Sequence, residues 1–423
     1  MKDYSSHTKA TPRVMVFNLA VGGHHDEHIL HLIRYWCAQD LPGLPIVVVS
    51  PQFMEVNAGS IEKLKQYVPE KLLWSPITLV ELQRFEKEKS LLRKSMVEWQ
   101  LFCRYAQRLG VDHSLIMYLD SFIVPLTLRL AAPCDFSGIY FRPTLHYKDF
   151  ACYHPSLKER IRDLRKTMML SQWLRHPFLK RIFCLDIFAV KPLQKYSTHV
   201  NIIPLPEPMD FPLAGPLKIN PQNTHDVAQL RQILQVEPQR KVFLLFGAIS
   251  AAKGVFQLLE ALRLLPSVVS SQLAILIVGK VVADLRDHLQ EQINITREFS
   301  SAQIIWVNEF IPFHEMETYF DLADVVLIPY QRHIGSSGIL VRAAAAGRPV
   351  LASDYGLVGK LVRGKGLGLT IDATQPSAIA AGLTTFLQKP AEALFDETAA
   401  REFAAENTAE NFAHVLYQHS LSL

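Results

Sequence analysis

The alternation of short apolar runs with longer amphipathic segments constrains the fold of this chain more than any other feature of its sequence. Each apolar run is long enough for one buried strand, and each amphipathic segment can form a covering helix. The runs lie at 13–20, 45–50, 113–120, 136–143, 182–190 and 199–206, and then at 241–249, 273–279, 303–311, 323–330 and 348–356. Strands that alternate with helices in this way are typical of parallel sheets. The sequence therefore predicts an α/β protein.

A cluster of prolines divides this pattern into two halves. Six prolines lie between 204 and 221, a density that neither a helix nor a central strand tolerates. A chain of 423 residues is also too long for one ordinary core. We predict a Rossmann-like domain at 1–203, a linker at 204–221 and a second Rossmann-like domain at 222–400, with the helix at 401–423 packing back on the first domain. Two doubly wound domains would face each other across a cleft, where ligands are expected.

Composition argues against several classes of protein. The formal net charge is only +4, which argues against a dedicated nucleic-acid binder. The five cysteines are scattered and never in CxxC spacing, so they predict buried thiols in a reducing compartment. The first residues, MKDYSSHTKATPR, lack the apolar core of a signal peptide, and no run of uncharged apolar residues is long enough to span a membrane. The sequence predicts a cytoplasmic protein.

The segment 158–181 differs from the rest of the chain in its charge. It holds eight Lys or Arg residues against two acids, interleaved with apolar residues that include Ile161, Leu164 and Met168. A basic amphipathic helix of this kind can lie on an anionic bilayer. It can equally be a solvated helix face packed on the sheet. Peripheral membrane contact through 158–181 is therefore one of two interpretations.

Lys253 marks the first candidate anion site. The run 241–249 predicts a strand that ends near a glycine, and Lys253-Gly254 opens the next helix. Free backbone N–H groups and the positive end of the helix dipole attract anions at such a position. A cation is locally unfavourable there, and a bound anion would relieve this cost. Lys253 is therefore a candidate anion ligand, with an exposed lysine as the alternative.

A second candidate anion site lies in the sequence HIGSSGILVRAAAAG. Ser336, Ser337 and Gly338 precede a predicted helix, so their backbone amides and hydroxyls would meet an anion at its N-terminus. Simple capping of the helix by a serine is the alternative. Because both candidate sites follow strands of the same half, the pair would provide two anchoring points for a diphosphate.

The second half resembles the nucleotide-sugar domain of GT-B glycosyltransferases, most nearly the retaining group called family 4 or group 1. The resemblance covers about 199–418 and rests on the ordered motifs KG…LLEAL, LIVG, ADVVLIPY and GSSGILVRAAAAGRPVLASDYG. It implies that Lys253 binds the donor diphosphate and that Ser336, Ser337 and Gly338 meet its phosphates. It also implies that Gly22 and Gly23 form the glycine loop facing donor and acceptor.

Three positions depart from the family pattern. The family usually has an arginine where this chain has Ala248, and two glutamates where it has Ile334 and Arg342. An arginine cannot accept hydrogen bonds from ribose hydroxyls. Arg342 would either supply the charge that Ala248 lacks, by pairing with phosphate, or be a surface residue.

The first half offers further candidates near the predicted strand ends. Asp120 ends an apolar run, where α/β sheets bind ligands, although it could instead cap a helix. Arg142 and His146 flank the end of the next strand and would contact sugar hydroxyls or an acceptor phosphate. His24 and His25 are candidate acceptor contacts, since no set of partners supports a metal site.

The resemblance implies an enzyme that moves a sugar from a UDP-, GDP- or ADP-sugar to a sugar, polysaccharide or lipid-linked acceptor, with no obligatory cofactor or metal. We expect Lys253, Asp120 and His146 to be catalytic. Arg342 joins the expected donor ligands and Arg142 the expected acceptor contacts. The altered positions leave two alternatives open: a GT-B-like binding protein without turnover, or a nucleotide-sugar epimerase.

Overall fold

The computed structural model describes residues 11–21, 24–67, 72–141, 143, 156–210 and 221–420. These residues fall into two compact units. The first comprises the described residues up to 143, 156–208 and 409–420, and the second comprises 209–210 and 221–408. Each unit contains one parallel sheet with helices between its strands.

The first unit contains a seven-stranded sheet in the order β3-β2-β1-β4-β5-β6-β7, with every described pair parallel. Its strands are β1 Arg13–Phe17, β2 Leu44–Val48, β3 Leu73–Trp74, β4 His113–Ile116, β5 Asp135–Tyr140, β6 Leu179–Cys184 and β7 Asn201–Pro204. Its helices before the second unit are α1 His24–Ala38, α2 Pro51–Val56, α3 Ala58–Tyr67, α4 Leu79–Lys87, α5 Leu91–Arg108, α6 Ile123–Thr127, α7 Leu157–Trp173 and α8 Val190–Gln194. A 3-10 helix covers Leu119–Phe122.

The second unit contains a six-stranded parallel sheet in the order β10-β9-β8-β11-β12-β13. Its strands are β8 Lys241–Phe246, β9 Leu273–Val278, β10 Gln303–Val307, β11 Val325–Ile328, β12 Val350–Ser353 and β13 Gly368–Ile371. Its helices are α9 Pro221–Ile233, α10 Val255–Leu264, α11 Ser267–Ser270, α12 Arg286–Phe299, α13 Phe313–Leu322, α14 Gly338–Ala345, α15 Gly356–Lys365, α16 Pro376–Gln388 and α17 Glu397–Glu406. Both sheets reverse their strand order beside the first strand of the unit, as Rossmann-like folds do. The predicted fold class, with two doubly wound units, is confirmed.

The strands are apolar on both faces because helices cover both sides of each sheet. In β1, Met15 and Phe17 pack into one core, whereas Val14 and Val16 pack into the core on the opposite face. Successive side chains of a strand point to opposite faces of the sheet, but here both faces are buried. Each strand is therefore an unbroken apolar run in the sequence.

The last described helix, α18 Ala409–Ser420, returns to the first unit and packs on α1. Tyr417 meets Trp36 edge to face, with ring centroids 4.8 Å apart, and Phe412 packs 5.2 Å from His28. The Tyr35 hydroxyl lies 2.8 Å from Nδ1 of His414. The preceding helix α17 belongs to the second unit.

The interpretation of 158–181 as one helix was wrong in its second half. Helix α7 ends at Trp173, and Leu179–Cys184 form strand β6. Pro177 lacks a backbone N–H and disfavours helical backbone at the residue before it, so the helix cannot continue into the strand. Lys180 and Arg181 therefore lie in the sheet, and the basic helix keeps only the charges before Trp173.

Candidate functional site

The turn after β8 presents Lys253 at the carboxyl end of the second sheet. A 3-10 helix, Ala251–Lys253, joins the strand to α10, and Gly254 is the N-cap residue with a left-handed backbone, φ 75°. A Cβ atom on Gly254 would lie 2.0 Å from the carbonyl oxygen of Pro329. Only glycine therefore allows this turn to pack against the segment that follows β11.

Tyr330 connects the two candidate anion sites. The Lys253 ammonium donates a hydrogen bond of 2.6 Å to the Tyr330 hydroxyl oxygen and lies 4.1 Å from the centre of its ring. The Ser337 hydroxyl donates to the same oxygen over 3.4 Å. With two hydrogen bonds accepted, the phenol keeps its own hydrogen as a donor. The structure thus brings Lys253 and Ser337 together around one buried tyrosine.

The loop between Tyr330 and α14 is held at both of its ends. The backbone N–H of Gln331 donates to the carbonyl of Ala252 over 2.8 Å, which ties the loop to the Lys253 turn. Nε2 of His333 bonds the carbonyl of Ser336 at 2.9 Å, and this nitrogen must carry the hydrogen because a carbonyl can only accept. Gly356, with φ 72°, allows the loop to approach, since its Cβ would lie 2.3 Å from the carbonyl of His333. The loop is therefore positioned from three sides.

The start of α14 leaves hydrogen-bond donors for a ligand. Ser337 is the N-cap residue, yet its side chain makes no capping hydrogen bond and turns to Tyr330 instead. The first N–H groups of a helix have no carbonyl partner within the helix. Gly338 begins the helix without a side chain that would cover these groups. The arrangement can bind an oxyanion through backbone amides, the Lys253 ammonium and the Tyr330 hydroxyl.

Arg342 lies one turn into α14 and interacts electrostatically with Glu317 of α13. Burial and the charge of Asp321 raise the pKa of Glu317, and the positive charge of Arg342 opposes this rise. Part of the Arg342 charge is therefore balanced within the second unit. Ala248 is exposed and Ile334 is half-buried. Both side chains are apolar, so neither altered position offers a polar group to a ligand.

The predicted residues of the first unit are described only in part. Asp120 lies in the 3-10 helix Leu119–Phe122, where its Oδ2 accepts a hydrogen bond of 2.8 Å from the backbone N–H of Phe141. It does not cap that helix, whose N-cap residue is Tyr118. The residues Gly22, Gly23, Arg142 and His146 lie outside the described residues, and the side chains of His24 and His25 at the start of α1 are also not described.

Two functional candidates escaped prediction from the sequence. Tyr330 was visible only as the end of an apolar run, and its position at the carboxyl edge of the sheet was the available signal. Glu98 of α5 is buried, and burial raises the pKa of its carboxyl to about 7, although a hydrogen bond from Ser121 lowers it. A carboxyl with a pKa near neutrality thus lies beside the segment that carries Asp120.

Within the described part of the chain, no group of three or more His, Cys, Asp or Glu side chains is arranged to hold a metal ion. None of its helices combines the length and the apolar character needed to cross a membrane.

Comparisons with known proteins identify the second unit. Residues 226–404 match the family model of glycosyl transferases group 1. Over 149 residues, or 34% of this chain, the sequence is 28% identical to the lipopolysaccharide 1,2-N-acetylglucosaminetransferase of Salmonella typhimurium. The match spans 37% of that relative's length.

Solved structures share the architecture over the whole chain. The N-terminal domain of trehalose-6-phosphate phosphatase from Candida albicans has a TM-score of 0.67 and 12% identity, covering 100% of this chain and 99% of that one. HepE from Anabaena in complex with UDP has a TM-score of 0.66 and 13% identity, covering 97% of this chain and 100% of that one. At such identities the likeness establishes the fold alone. The resemblance inferred from the sequence motifs is confirmed: residues 226–404 match the group 1 glycosyltransferase family, and the chain has the GT-B fold that such glycosyltransferases share.

Proposed function

We propose that the chain transfers a sugar, with retention of configuration, from a nucleotide-diphospho-sugar to a carbohydrate or lipid-linked acceptor. The donor class is supported by HepE, a protein of similar fold whose structures contain UDP and UDP-glucose. The acceptor class is supported by the Salmonella typhimurium relative, whose name specifies a lipopolysaccharide acceptor. Both inferences are independent of the geometry of the site.

One observation carries the proposal: Lys253 and Ser337 contact the same tyrosine oxygen. Lys253 follows β8 and Ser337 precedes α14, and they meet at Tyr330 through contacts of 2.6 Å and 3.4 Å. A diphosphate carries charge on two phosphorus centres and needs donors from more than one direction. The ammonium group, the amides at Ser336 to Gly338 and the tyrosine hydroxyl provide such donors at one edge of the sheet.

The proposed chemistry relies on stabilising the leaving group. As the bond between the sugar and the diphosphate breaks, negative charge grows on the phosphate oxygen nearest the sugar. Donors fixed before the reaction stabilise this charge without reorganising. We assign this role to Lys253, whose ammonium group is oriented by its hydrogen bond to Tyr330. The departing diphosphate would itself help to deprotonate the acceptor, so the demand for a protein base is small.

The first unit would supply the acceptor side. Asp120 already accepts a hydrogen bond from Phe141, which leaves its carboxylate oriented and still able to accept from an acceptor hydroxyl. The glycine loop would close over the sugar, and the remaining predicted contacts would hold the acceptor. These residues are Gly22, Gly23, His24, His25, Arg142 and His146. As catalytic residues we keep the predicted set, Lys253, Asp120 and His146.

Arg342 would act on the bound nucleotide less directly than a residue that binds phosphate. The positive charge of Arg342 acts to lower the pKa of the Glu317 carboxyl in the neighbouring helix α13. We propose that Arg342 lies at the depth of the nucleotide ribose, where the family usually has an acceptor, and adds positive charge there without a hydrogen bond to the ribose hydroxyls. Ribose recognition would then be weaker than phosphate recognition.

Nucleotide binding by a lysine variant tests the proposal. Wild-type protein and Lys253→Met are titrated calorimetrically with UDP, GDP and ADP, and with the corresponding diphospho-sugars. Loss of one hydrogen bond to a charged group predicts about 10- to 100-fold weaker binding of the responsive nucleotide. Lys389→Met is the matched control, because Lys389 is an exposed lysine of the same unit at the C-terminal end of α16.

The outcomes separate the alternatives. No binding of any nucleotide by the wild-type protein would refute the donor class. Equal losses in Lys253→Met and Lys389→Met would refute the assignment of Lys253. Binding without hydrolysis or transfer from the responsive diphospho-sugar, assayed with carbohydrate and lipid-linked acceptors, would identify a binding protein without turnover.

We also propose that α7 contacts an anionic membrane from the cytoplasmic side. Four large apolar side chains share one face at helical spacing, and each is exposed by at least 60%: Leu157, Ile161, Leu164 and Met168. Basic residues flank this face along the first turns of α7. The end of the helix is anchored instead, since Leu170 and Trp173 are buried. A membrane site suits a lipid-linked acceptor.

Vesicle co-sedimentation tests this contact. We expect binding to vesicles rich in phosphatidylglycerol and little binding to phosphatidylcholine vesicles. The pair Ile161→Gln and Met168→Gln should weaken binding at least about 10-fold, because two apolar side chains no longer leave water. The pair Leu264→Gln and Val268→Gln is the control, since both side chains are exposed in the second unit. Equal binding by both double variants would exclude α7 as the contact.

A further inference from the structure

A row of polar side chains crosses the first sheet near the amino ends of its strands. In register, Leu115 of β4 pairs with Ser137 of β5, Ser137 pairs with Arg181 of β6, and Arg181 pairs with Asn201 of β7. His113 precedes Leu115 by two residues and therefore faces the same side. Its Nε2 lies 3.0 Å from the Ser137 hydroxyl. Polar groups of four adjacent strands thus share one face.

Two residues further along each strand, the same face of the sheet is apolar. Leu115, Ile139 and Phe183 belong to the core cluster that contains residues of α18, and Ile203 packs against it. The polar row therefore lies under the last turns of α18, where the buried core ends. Polar residues two positions from a core row are costly unless they have partners.

A β-bulge places Arg181 in this row. Phe136 pairs with Leu179, but the next residue, Ser137, pairs with Arg181, so Lys180 is the extra residue. Without the bulge, Arg181 would face the opposite side of the sheet. The displaced Lys180 pairs with Asp135 at 3.2 Å, which leaves that acid already neutralised. The irregularity thus directs a guanidinium group toward α18 without a matching acid.

Several buried polar atoms of this row and of α18 have no hydrogen-bond partner among the described residues. They are Nδ1 of His113, Nη1 of Arg181, and the hydroxyl oxygens of Tyr417 and Ser420. His113 is 2% exposed, and Tyr417 and Ser420 are each 1% exposed. Buried polar groups are almost always paired in folded proteins, and a cluster of exceptions indicates a bound ion, ligand or water.

Arg181 is half-buried and has no acidic partner among the described residues. No described carboxylate forms an ion pair with it, and burial lowers the pKa of its guanidinium. Burial and the Arg181 charge lower the pKa of His113 to about 3, so this imidazole is neutral. Burial, followed by the Arg181 charge, also lowers the pKa of His419 on α18. Both histidines therefore lie within the electrostatic reach of Arg181.

A cavity of about 430 Å³ lies beside the edge strand β7, at the end of the row that Asn201 occupies. His419, His199 and Asn201 are among its lining residues, and Asn201 is the register partner of Arg181. The cavity has room for more than a bare ion. All of these residues lie in the first unit, whereas the candidate donor site lies in the second.

We propose that this row is a binding site for the oxyanion of a small molecule, a phosphate or carboxylate group held by Arg181, His113 and Ser420. The anion supplies the missing counter-charge and accepts from the unpartnered donors, and the rest of the molecule occupies the cavity beside β7. The site is independent of the proposed glycosyl transfer.

Inorganic phosphate is the probe for this site. The parent protein is Lys253→Met, so that phosphate bound at the candidate donor site does not contribute. We expect the ring ¹⁵N–¹H NMR signals of His113 and His419 to shift saturably with phosphate but not with chloride at equal ionic strength. Adding Arg181→Met should weaken binding at least about 10-fold, because a charged hydrogen-bond donor is lost. Ser420→Ala should weaken it about 3-fold or more.

Arg175→Met is the control, since Arg175 is an exposed arginine of the same unit. It should leave phosphate binding unchanged. In phosphate-free buffer, Arg181→Met should unfold at the same or a higher temperature than its parent, because a half-buried charge without a counter-ion is removed while most of the apolar stem is kept. The absence of saturable shifts in the parent, or an unchanged response in Arg181→Met, would overturn the proposal. So would a sharp fall in the unfolding temperature of Arg181→Met, because that would show a charge already paired.

Discussion

Replacing Tyr330 by phenylalanine tests whether the tyrosine positions the Lys253 ammonium. The ring is 6% exposed, and its oxygen accepts hydrogen bonds from Lys253 at 2.6 Å and Ser337 at 3.4 Å. Phenylalanine keeps the ring, which lies 4.1 Å from the ammonium, and removes only the oxygen. The substitution therefore isolates the hydrogen bonds from the packing and from the cation–π contact.

The structure gives the expected magnitudes. Lys253 is only half-buried, so water can replace the phenol oxygen, but Ser337 is 9% exposed and loses its acceptor. We expect the free energy of unfolding to fall by about 1 kcal/mol, the ordinary net value of a hydrogen bond. Donor affinity should fall by about 3- to 10-fold, because the ammonium and its neighbours are no longer oriented before binding. The loss should be smaller than in Lys253→Met, which removes the charge itself.

Urea unfolding and calorimetric titration with the responsive nucleotide measure the two effects. Tyr319→Phe is a matched control, since Tyr319 is also a buried tyrosine of the second unit, on α13. Wild-type affinity in Tyr330→Phe together with a large loss in Lys253→Met would refute the positioning role. A larger loss of donor affinity in Tyr330→Phe than in Lys253→Met would refute the expectation that the lysine charge contributes more to binding than its orientation.

Two further substitutions test the pKa of Glu98 and the backbone of Gly254. Because burial raises the Glu98 pKa from 4.5 to about 7 in the folded state, wild-type stability should fall as the pH rises through that window. The free energy of unfolding of Glu98→Gln, relative to wild type, should therefore increase by on the order of 3 kcal/mol from about pH 5 to about pH 8. Urea unfolding measures it, and an equal difference at both pH values would contradict this expectation. Gly254→Ala should lower the free energy of unfolding by at least about 2 kcal/mol, because the new Cβ would clash with the carbonyl oxygen of Pro329. Gly364→Ala is the control and should be neutral or stabilising, since nothing lies within 4 Å of its Cβ position. Similar losses in both variants would contradict the steric argument.

The strands were predictable because helices bury both faces of each sheet, which makes the runs apolar throughout. Their ends were less predictable. The run at 113–120 predicts a strand up to Asp120, but β4 ends at Ile116. Met117 and Leu119 are buried after the strand has ended, so burial continues into the turn and cannot mark the last ladder hydrogen bond. The same effect extended most of the other predicted strands.

Short or interrupted strands were missed for the opposite reason. Strand β3 has two residues, and β13 contains Gly368 and packs with all four residues only half-buried. Neither gives an apolar run long enough to stand out. Both lie at the edge of their sheet, where one neighbouring strand is enough to define them.

The candidate site was predictable in its anion-binding parts and not in its connections. Lys253 and Ser337 are visible because each adjoins a predicted helix start after a strand. Tyr330 is a different case, since its importance comes from contacts with residues 77 and 7 positions away. The relation of Arg342 to Glu317 likewise depends on how α13 and α14 pack, which no local pattern specifies.

The altered positions lead to a final prediction about the nucleotide. In the family pattern an arginine, a lysine and two glutamates balance, whereas Ala248, Lys253, Ile334 and Arg342 together carry two positive charges. Glu317 offsets part of this excess. A more positive site favours the diphosphate, but it lacks the carboxylate that accepts from ribose hydroxyls. We expect 2′-deoxy and 3′-deoxy analogues of the responsive nucleotide to bind within about 3-fold of the parent, because no charged hydrogen bond is lost. Arg342→Glu should restore an acceptor at the usual position and raise this discrimination to about 10-fold, while lowering overall affinity through repulsion of the phosphates. Calorimetric titration of both proteins measures the two ratios. Strong discrimination by the wild-type protein would show that another carboxylate or carbonyl already accepts from the ribose, and the loss of the family glutamate would then have no consequence for recognition.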